Sequence, residues 1–181
     1  LGRQEVKKLL EGIKEKYNVV IDELIPEILR LGEVQKVLQN LLEEQIPIND
    51  LATILETLAD YGLIVKDTEV LTEYVRQALK RTIATKYADE NHHLNVIVIQ
   101  PKVEEMVVQS IQKTATGSYP ILKPDHVNRI LDSLASVQTQ ALSNNLPFVI
   151  LASPKIRLAF RKLIAFNFPT IAVLSLNEVP N

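Results

Sequence analysis

The sequence predicts a mostly helical α+β fold in two parts. A helical, winged-helix-like subdomain is expected over residues 1–88, and a small α/β subdomain over residues 89–181. Three observations carry this expectation. Apolar residues recur at helical spacing throughout the first half. The polar run DENHH (89–93) then breaks the pattern. Beyond it, short β-rich runs alternate with helical stretches and close in a strand–helix–strand unit.

The elements follow in order. Val6, Leu9, Leu10 and Ile13 obey the i, i+3, i+4, i+7 rule of a helix with one apolar face. Ile21, Leu24, Ile25, Ile28 and Leu29 repeat it, with Pro26 breaking or restarting the helix. Val34, Val37, Leu38, Leu41 and Leu42 form a third stripe. Leu51, Ile54, Leu55, Leu58 and Ala59 form a fourth, with Asn49 as its N-cap. Leu71, Tyr74, Val75, Ala78 and Leu79 form a fifth, opened by Asp67 and Thr68 and closed by Lys80, Arg81 and Lys86, whose charge suits a helix C-terminus. Each stripe must bury against another, so the first part reads as one helical unit.

In the second part, Leu94–Ile99 reads as a strand ended by Pro101, and Val103, Met106, Val107 and Ile111 mark a helix. TGSYP (116–120) reads as a turn or loop. A long helix runs from Asp125 to about Asn144, with Val127, Ile130, Leu131, Leu134, Ala135, Ala141 and Leu142 on its buried side. Strand Phe148–Ala152 follows, then a helix capped by Ser153 with Pro154 in its first turn, then strand Thr170–Leu176. The connection over 153–169 is long enough for a parallel crossover.

Composition excludes several classes. Hydrophobic residues make up 46% and charged residues 23%, which is globular rather than disordered. A net charge of −2 gives no global attraction to nucleic acid or anionic lipid. The absence of cysteine removes disulfides, thiolate metal sites and thiol nucleophiles. The longest apolar runs, VIVI (96–99) and FVILA (148–152), fall far short of the roughly 20 residues of a bilayer span. A chain starting at Leu1 is expected to be a fragment of a longer one.

Catalytic motifs are missing: no phosphate-binding glycine loop, no G-x-S-x-G elbow, no H-E-x-x-H pair. Adjacent His92 and His93 read as loop residues, His126 as a surface residue and Ser153 as a cap. Glu43–Glu44 and Glu104–Glu105 read as solvated acidic pairs. No enzyme activity, metal or cofactor is expected.

The stretch EVQKVLQNLLEEQIPINDLATILETLADYG (33–62) has the order of a helix-turn-helix, so a winged-helix nucleic-acid binder is one alternative. Its presumed reading helix, NDLATILETLAD (49–60), carries Asp50, Glu56 and Asp60 but no Lys or Arg. Residues 1–88 hold 15 acidic and 12 basic side chains, a net of −3. Duplex binding depends on cations that neutralise phosphates. A protein partner, or a purely structural packing role, fits this face better.

Further motifs carry a resemblance. LGRQEV (1–6), ELIP (23–26), EVQKVLQNLL (33–42), ILETLADYG (54–62), LTEYVRQALKR (71–81), TGSYP (116–120), FVILASPKIR (148–157) and VLSLNEV (173–179) resemble the flagellar type III export gate family, in order and over essentially the whole chain. Injectisome export gates of virulence secretion systems are similar relatives and form the second alternative.

The resemblance implies an intact protein with an N-terminal bundle of membrane helices and four cytosolic subdomains at the cytoplasmic face of the bacterial inner membrane. This chain would be the last two. It implies a ring, commonly nonameric, that receives export chaperone–substrate complexes, the export ATPase complex and the substrate-specificity switch protein. It implies no nucleic-acid partner, and membrane contact only through the preceding region. The family's chaperone groove is built mainly by the first two subdomains, so its residues have no counterpart here. Family chains also usually run on past LNEV (176–179). Candidate protein-contact residues are Lys36, Gln39 and Asn40 in a motif-bearing helix, Asp60 at the end of the next, and Arg3, Gln4 and Glu5 at the chain start. Solvation or capping is the plainer reading of each of them, because exposed polar residues need no special explanation.

Overall fold

The computed structural model describes residues 1–180. The chain divides into two compact units, Leu1–Ile83 and Ala84–Asn181.

Unit 1 is helical. Helix α1 (Arg3–Glu23) departs from helical geometry at Tyr17 and passes into a π-helical turn, Leu24–Ile28. Pro26 sits in that turn, and Ile25 beside it is extended, as a residue before proline tends to be. Helices α2 (Leu31–Glu43), α3 (Leu51–Tyr61) and α4 (Thr68–Ala78) follow, and α5 (Lys80–Tyr87) crosses the division between units. The core draws one side chain or more from every predicted stripe: Val6, Leu24, Val34, Leu38, Leu41, Ile54, Leu55, Leu58, Leu71 and Val75 are all fully enclosed.

Several local expectations are corrected. The N-cap of α3 is Asp50, not Asn49. Asp50 Oδ1 accepts from Thr53 N at 3.2 Å, and helical hydrogen bonding begins with Ile54 N donating to the Asp50 carbonyl. Asp50→Ala is therefore expected to cost about 0.5–2 kcal/mol, and Asn49→Ala almost nothing, in paired chemical melts. Leu42 is 41% exposed, so the third stripe loses its last member, and Ala78 in the fifth is exposed as well. Lys80, Arg81 and Lys86 belong to α5 and do not close α4, which ends at Ala78.

Gly62 caps α3 by close approach. A Cβ built there would lie 2.6 Å from both Ile28 Cγ2 and the Leu58 carbonyl oxygen. The carbonyl belongs to helix backbone and cannot yield cheaply. Gly62→Ala is expected to destabilise unit 1 by about 1–3 kcal/mol through overpacking, and a urea titration would measure it.

Unit 2 is built on a three-stranded parallel sheet of order β1-β4-β5: β1 (Val96–Val98), β4 (Val149–Ala152) and β5 (Val173–Ser175). Val96 pairs with Val149 and Ile150 with Val173. Helices α6 (Pro101–Ser110), α7 (Pro124–Ser143) and α8 (Arg157–Ile164) complete it. The parallel β4–α8–β5 unit matches the predicted crossover. The core gathers Val107, Leu134, Ile150, Ile156, Phe160, Ile164 and Val173.

Here too the structure corrects the sequence reading. TGSYP is not a loop: β3 (Gly117–Pro120) pairs antiparallel with β2 (Ile111–Thr114), which takes Ile111 out of α6. Gly117, at φ 144, follows the Ala115–Thr116 turn where an L side chain would be strained. Ser153 does not cap α8, whose N-cap is Ile156. Instead the Ser153 carbonyl accepts from Ile156 N and Arg157 N, closing a turn before the helix. Helix α7 buries only Leu134; Ala135 is exposed and Leu142 is 75% exposed. The side predicted to be buried is thus only partly covered, with Leu134 at its centre.

Candidate functional site

The predicted contact residues fall into three places on unit 1. The first is where the chain start meets α2. The Leu1 carbonyl accepts from Gln39 Nε2 at 2.7 Å and from Gln35 Nε2 at 3.1 Å. The Arg3 guanidinium lies against Gly32, its Nη2 3.0 Å from where a Cβ would stand. Glu5 Oε1 accepts from Gly2 N at 3.1 Å, so Glu5 acts as a cap. Gln4 and Lys36 are exposed. Gln39 thus holds the Leu1 carbonyl and Glu5 the Gly2 amide, while Arg3 lies against Gly32, each at the start of the chain. Gln35 shares the Leu1 carbonyl with Gln39 and was missed, because its role depends on a backbone carbonyl distant in sequence.

Asn40 bonds elsewhere. Its Nδ2 donates to Thr72 Oγ1 on α4 at 3.1 Å, half-buried, so it serves the α2–α4 contact. Asp60 is exposed on α3. The acidic pair reading also changes: Glu44 Oε1 stands 3.7 Å from Arg76 Nη1, and both side chains are largely enclosed. Only Glu43 is solvated.

Helix α3 buries Leu51, Ile54, Leu55, Thr57, Leu58 and Ala59. Its outward positions include Glu56 and Asp60. A helix that reads a major groove must leave one long face free and cationic. This helix has most of its surface committed to the core, and what remains is acidic. Tyr61 also stacks on Tyr74 of α4 with ring centroids 4.0 Å apart, holding the end of α3 in place.

The catalytic candidates are equally unpromising. Ser153 Oγ is enclosed and without a hydrogen-bond partner, so no base stands ready to activate it. His92 and His93 are exposed in a turn where Asp89 Oδ1 accepts from His93 N and Asn91 N, both at 2.9 Å. The His93 amide, ahead of the smaller contribution from Asn91, holds the Asp89 carboxyl below its usual value. No cluster of metal-ligating side chains occurs among the described residues. Nor is any helix among them long and apolar enough to cross a membrane.

The FHIPEP family model matches residues 1–181. The chain belongs to the FHIPEP family. The Bacillus subtilis (strain 168) flagellar biosynthesis protein FlhA is similar to this FHIPEP chain, 40% identical over 179 residues; that match covers 99% of the chain and 26% of FlhA. The chain thus spans about a quarter of that relative's length. Among solved structures, the nonameric EscV cytosolic domain from the type III secretion system superposes with a TM-score of 0.85 at 36% identity, over 99% of this chain and 53% of that one. The Chlamydia pneumoniae CdsV and CdsO protein complex gives 0.87 at 35% identity, over 99% and 52%. The α+β fold is therefore that of FHIPEP export gate C-terminal domains.

Proposed function

We propose that this FHIPEP chain is the distal cytosolic part of a flagellar protein-export gate, acting as a ring-forming docking platform. In this reading it carries no catalysis. It takes part in receiving export chaperone–substrate complexes, the export ATPase complex and the substrate-specificity switch protein. The observation that carries the reading is the likeness over the whole chain to FlhA. The nonameric assembly of the EscV domain supports a ring. The CdsV and CdsO protein complex supports binding of a second protein by the gate. A cytoplasmic position beneath the inner membrane, with anchorage by a preceding region, belongs to the same proposal.

The test compares the full cytosolic region with a version lacking residues 1–181. Removal is expected to abolish ring assembly in analytical ultracentrifugation and to weaken capture of export chaperones and ATPase-complex proteins. Unchanged assembly and unchanged affinities would refute the proposal. A duplex-binding role would show as tight, steeply salt-dependent shifts. The acidic exposed face of α3 gives the expectation of no shift even at low salt.

A further inference from the structure

Unit 2 contains a cavity of about 660 Å³ whose lining includes Ile97 and Val98 of β1. Strand β1 is an edge strand, paired only with β4. In that pairing Val149 N donates to the Asn95 carbonyl. Parallel pairing uses alternate residues, so the N–H and C=O groups of Val96 and Val98 point away from the sheet. Val96 is 40% exposed and Val98 is 68% exposed. An open edge of this kind is a template for another strand.

Besides Ile97 and Val98 of β1, Ile150 of the neighbouring β4 lines the cavity. The cavity is walled by Val103 and Met106 of α6 and by Ile130 and Leu134 of α7, with Phe160 of α8 behind. Its charged lining residues, Lys102 and Arg129, are both basic, and His126 also lines it. Asp125 and Asp132 on α7 and Glu104 and Glu105 on α6 are not part of the lining. The basic groups gather at one end for a topological reason. Helix α6 starts directly after β1, placing Lys102 in its first turn. Helix α7 leads into β4, which runs parallel to β1, so the first turns of α7, with His126 and Arg129, stand where the strands finish. Two helix N-termini add their positive ends there.

We propose that the β1 edge and its cavity form a docking groove that accepts an extended peptide segment of a partner protein as an added strand. Apolar side chains at alternate positions of the segment fill the cavity, and carboxylates at its end meet Lys102, His126 and Arg129. An aliphatic amphiphile would fill the same volume but would leave the Val96 and Val98 backbone groups unpaired, so a peptide is the occupant that satisfies every feature. This goes beyond the export-gate reading and does not depend on it.

The probe is a fluorescein-labelled peptide of alternating valine and threonine flanked at both ends by paired glutamates, followed by anisotropy with the full chain. Saturable binding is expected, with at least a tenfold loss when the flanks are lysine. The double variant Lys102→Glu, Arg129→Glu is expected to lose at least tenfold. Val98→Pro removes the outward N–H at a place where an edge strand tolerates proline, and the same loss is expected. Should circular dichroism show that Val98→Pro unfolds the chain, a peptide N-methylated at its threonines takes its place, with the same expected loss. Failure of the glutamate peptide to bind would overturn the proposal. So would equal binding by Val98→Pro in its folded form, equal binding of the methylated peptide, or uptake of dodecanoate in preference to the peptide.

Discussion

Glu178→Ala is expected to destabilise unit 2 by about 3–5 kcal/mol, the usual cost of leaving one member of a buried ion pair uncompensated. Both partners are enclosed: the Arg157 side chain is 0% exposed and the Glu178 side chain 1%. Arg157 Nε stands 4.0 Å from Glu178 Oε2. Each partner also holds a backbone group. Arg157 Nη1 donates to the Val173 carbonyl at 2.9 Å, and Glu178 Oε1 accepts from Ser175 N at 3.0 Å. Together these link the first turn of α8 to β5 and to the short 3₁₀ turn Leu176–Glu178. Removing the carboxylate strands a guanidinium where water does not reach and frees a buried amide. Replacing both partners, as in Arg157→Met with Glu178→Leu, removes the charges together and is expected to cost far less than the single change. Chemical denaturation of the three proteins measures the difference. A Glu178→Ala loss below about 0.5 kcal/mol, the range of ordinary surface changes, would show that the pair is not buried in solution.

Leu38→Ala is expected to cost about 2–5 kcal/mol, whereas Leu42→Ala, one turn further along α2, should stay within about 0.5 kcal/mol. The two leucines belong to the same stripe by spacing. Leu38 is 0% exposed among the buried residues of unit 1, while Leu42 is 41% exposed. Deleting the Leu38 side chain removes buried apolar surface and leaves a cavity. Deleting Leu42 removes contacts that solvent already shares. Urea midpoints at unchanged slope would read the contrast directly. Equal losses at the two positions would mean that something covers Leu42 in solution, such as another copy of the chain.

Much of the fold was legible because helical amphipathicity is a local property. The stripe Leu51, Ile54, Leu55, Leu58 and Ala59 is buried in full, since the residues that must face inward recur every turn. The crossover from β4 through α8 to β5 was legible for a similar reason: strand, helix and strand are consecutive. The candidate contact residues were less so. Gln39 holds the Leu1 carbonyl and Glu5 the Gly2 amide, whereas Asn40, one residue beyond Gln39, turns to Thr72. Spacing along a helix gives the direction of a side chain but not what stands opposite.

The sequence by itself determined the helical character of the first part, the α/β character of the second, the acidic exposed face of α3 and the family likeness, since each depends on residue type at short range. Tertiary structure alone decided that TGSYP pairs as a strand with Ile111–Thr114, that Arg157 and Glu178 share a buried contact, and that β1 stands at the edge of its sheet and lines a cavity together with α6 and α7. These depend on which surfaces meet. Polar and weakly patterned residues acquire structure from the partner that supplies their hydrogen bonds, and that partner is fixed only when the chain has closed on itself.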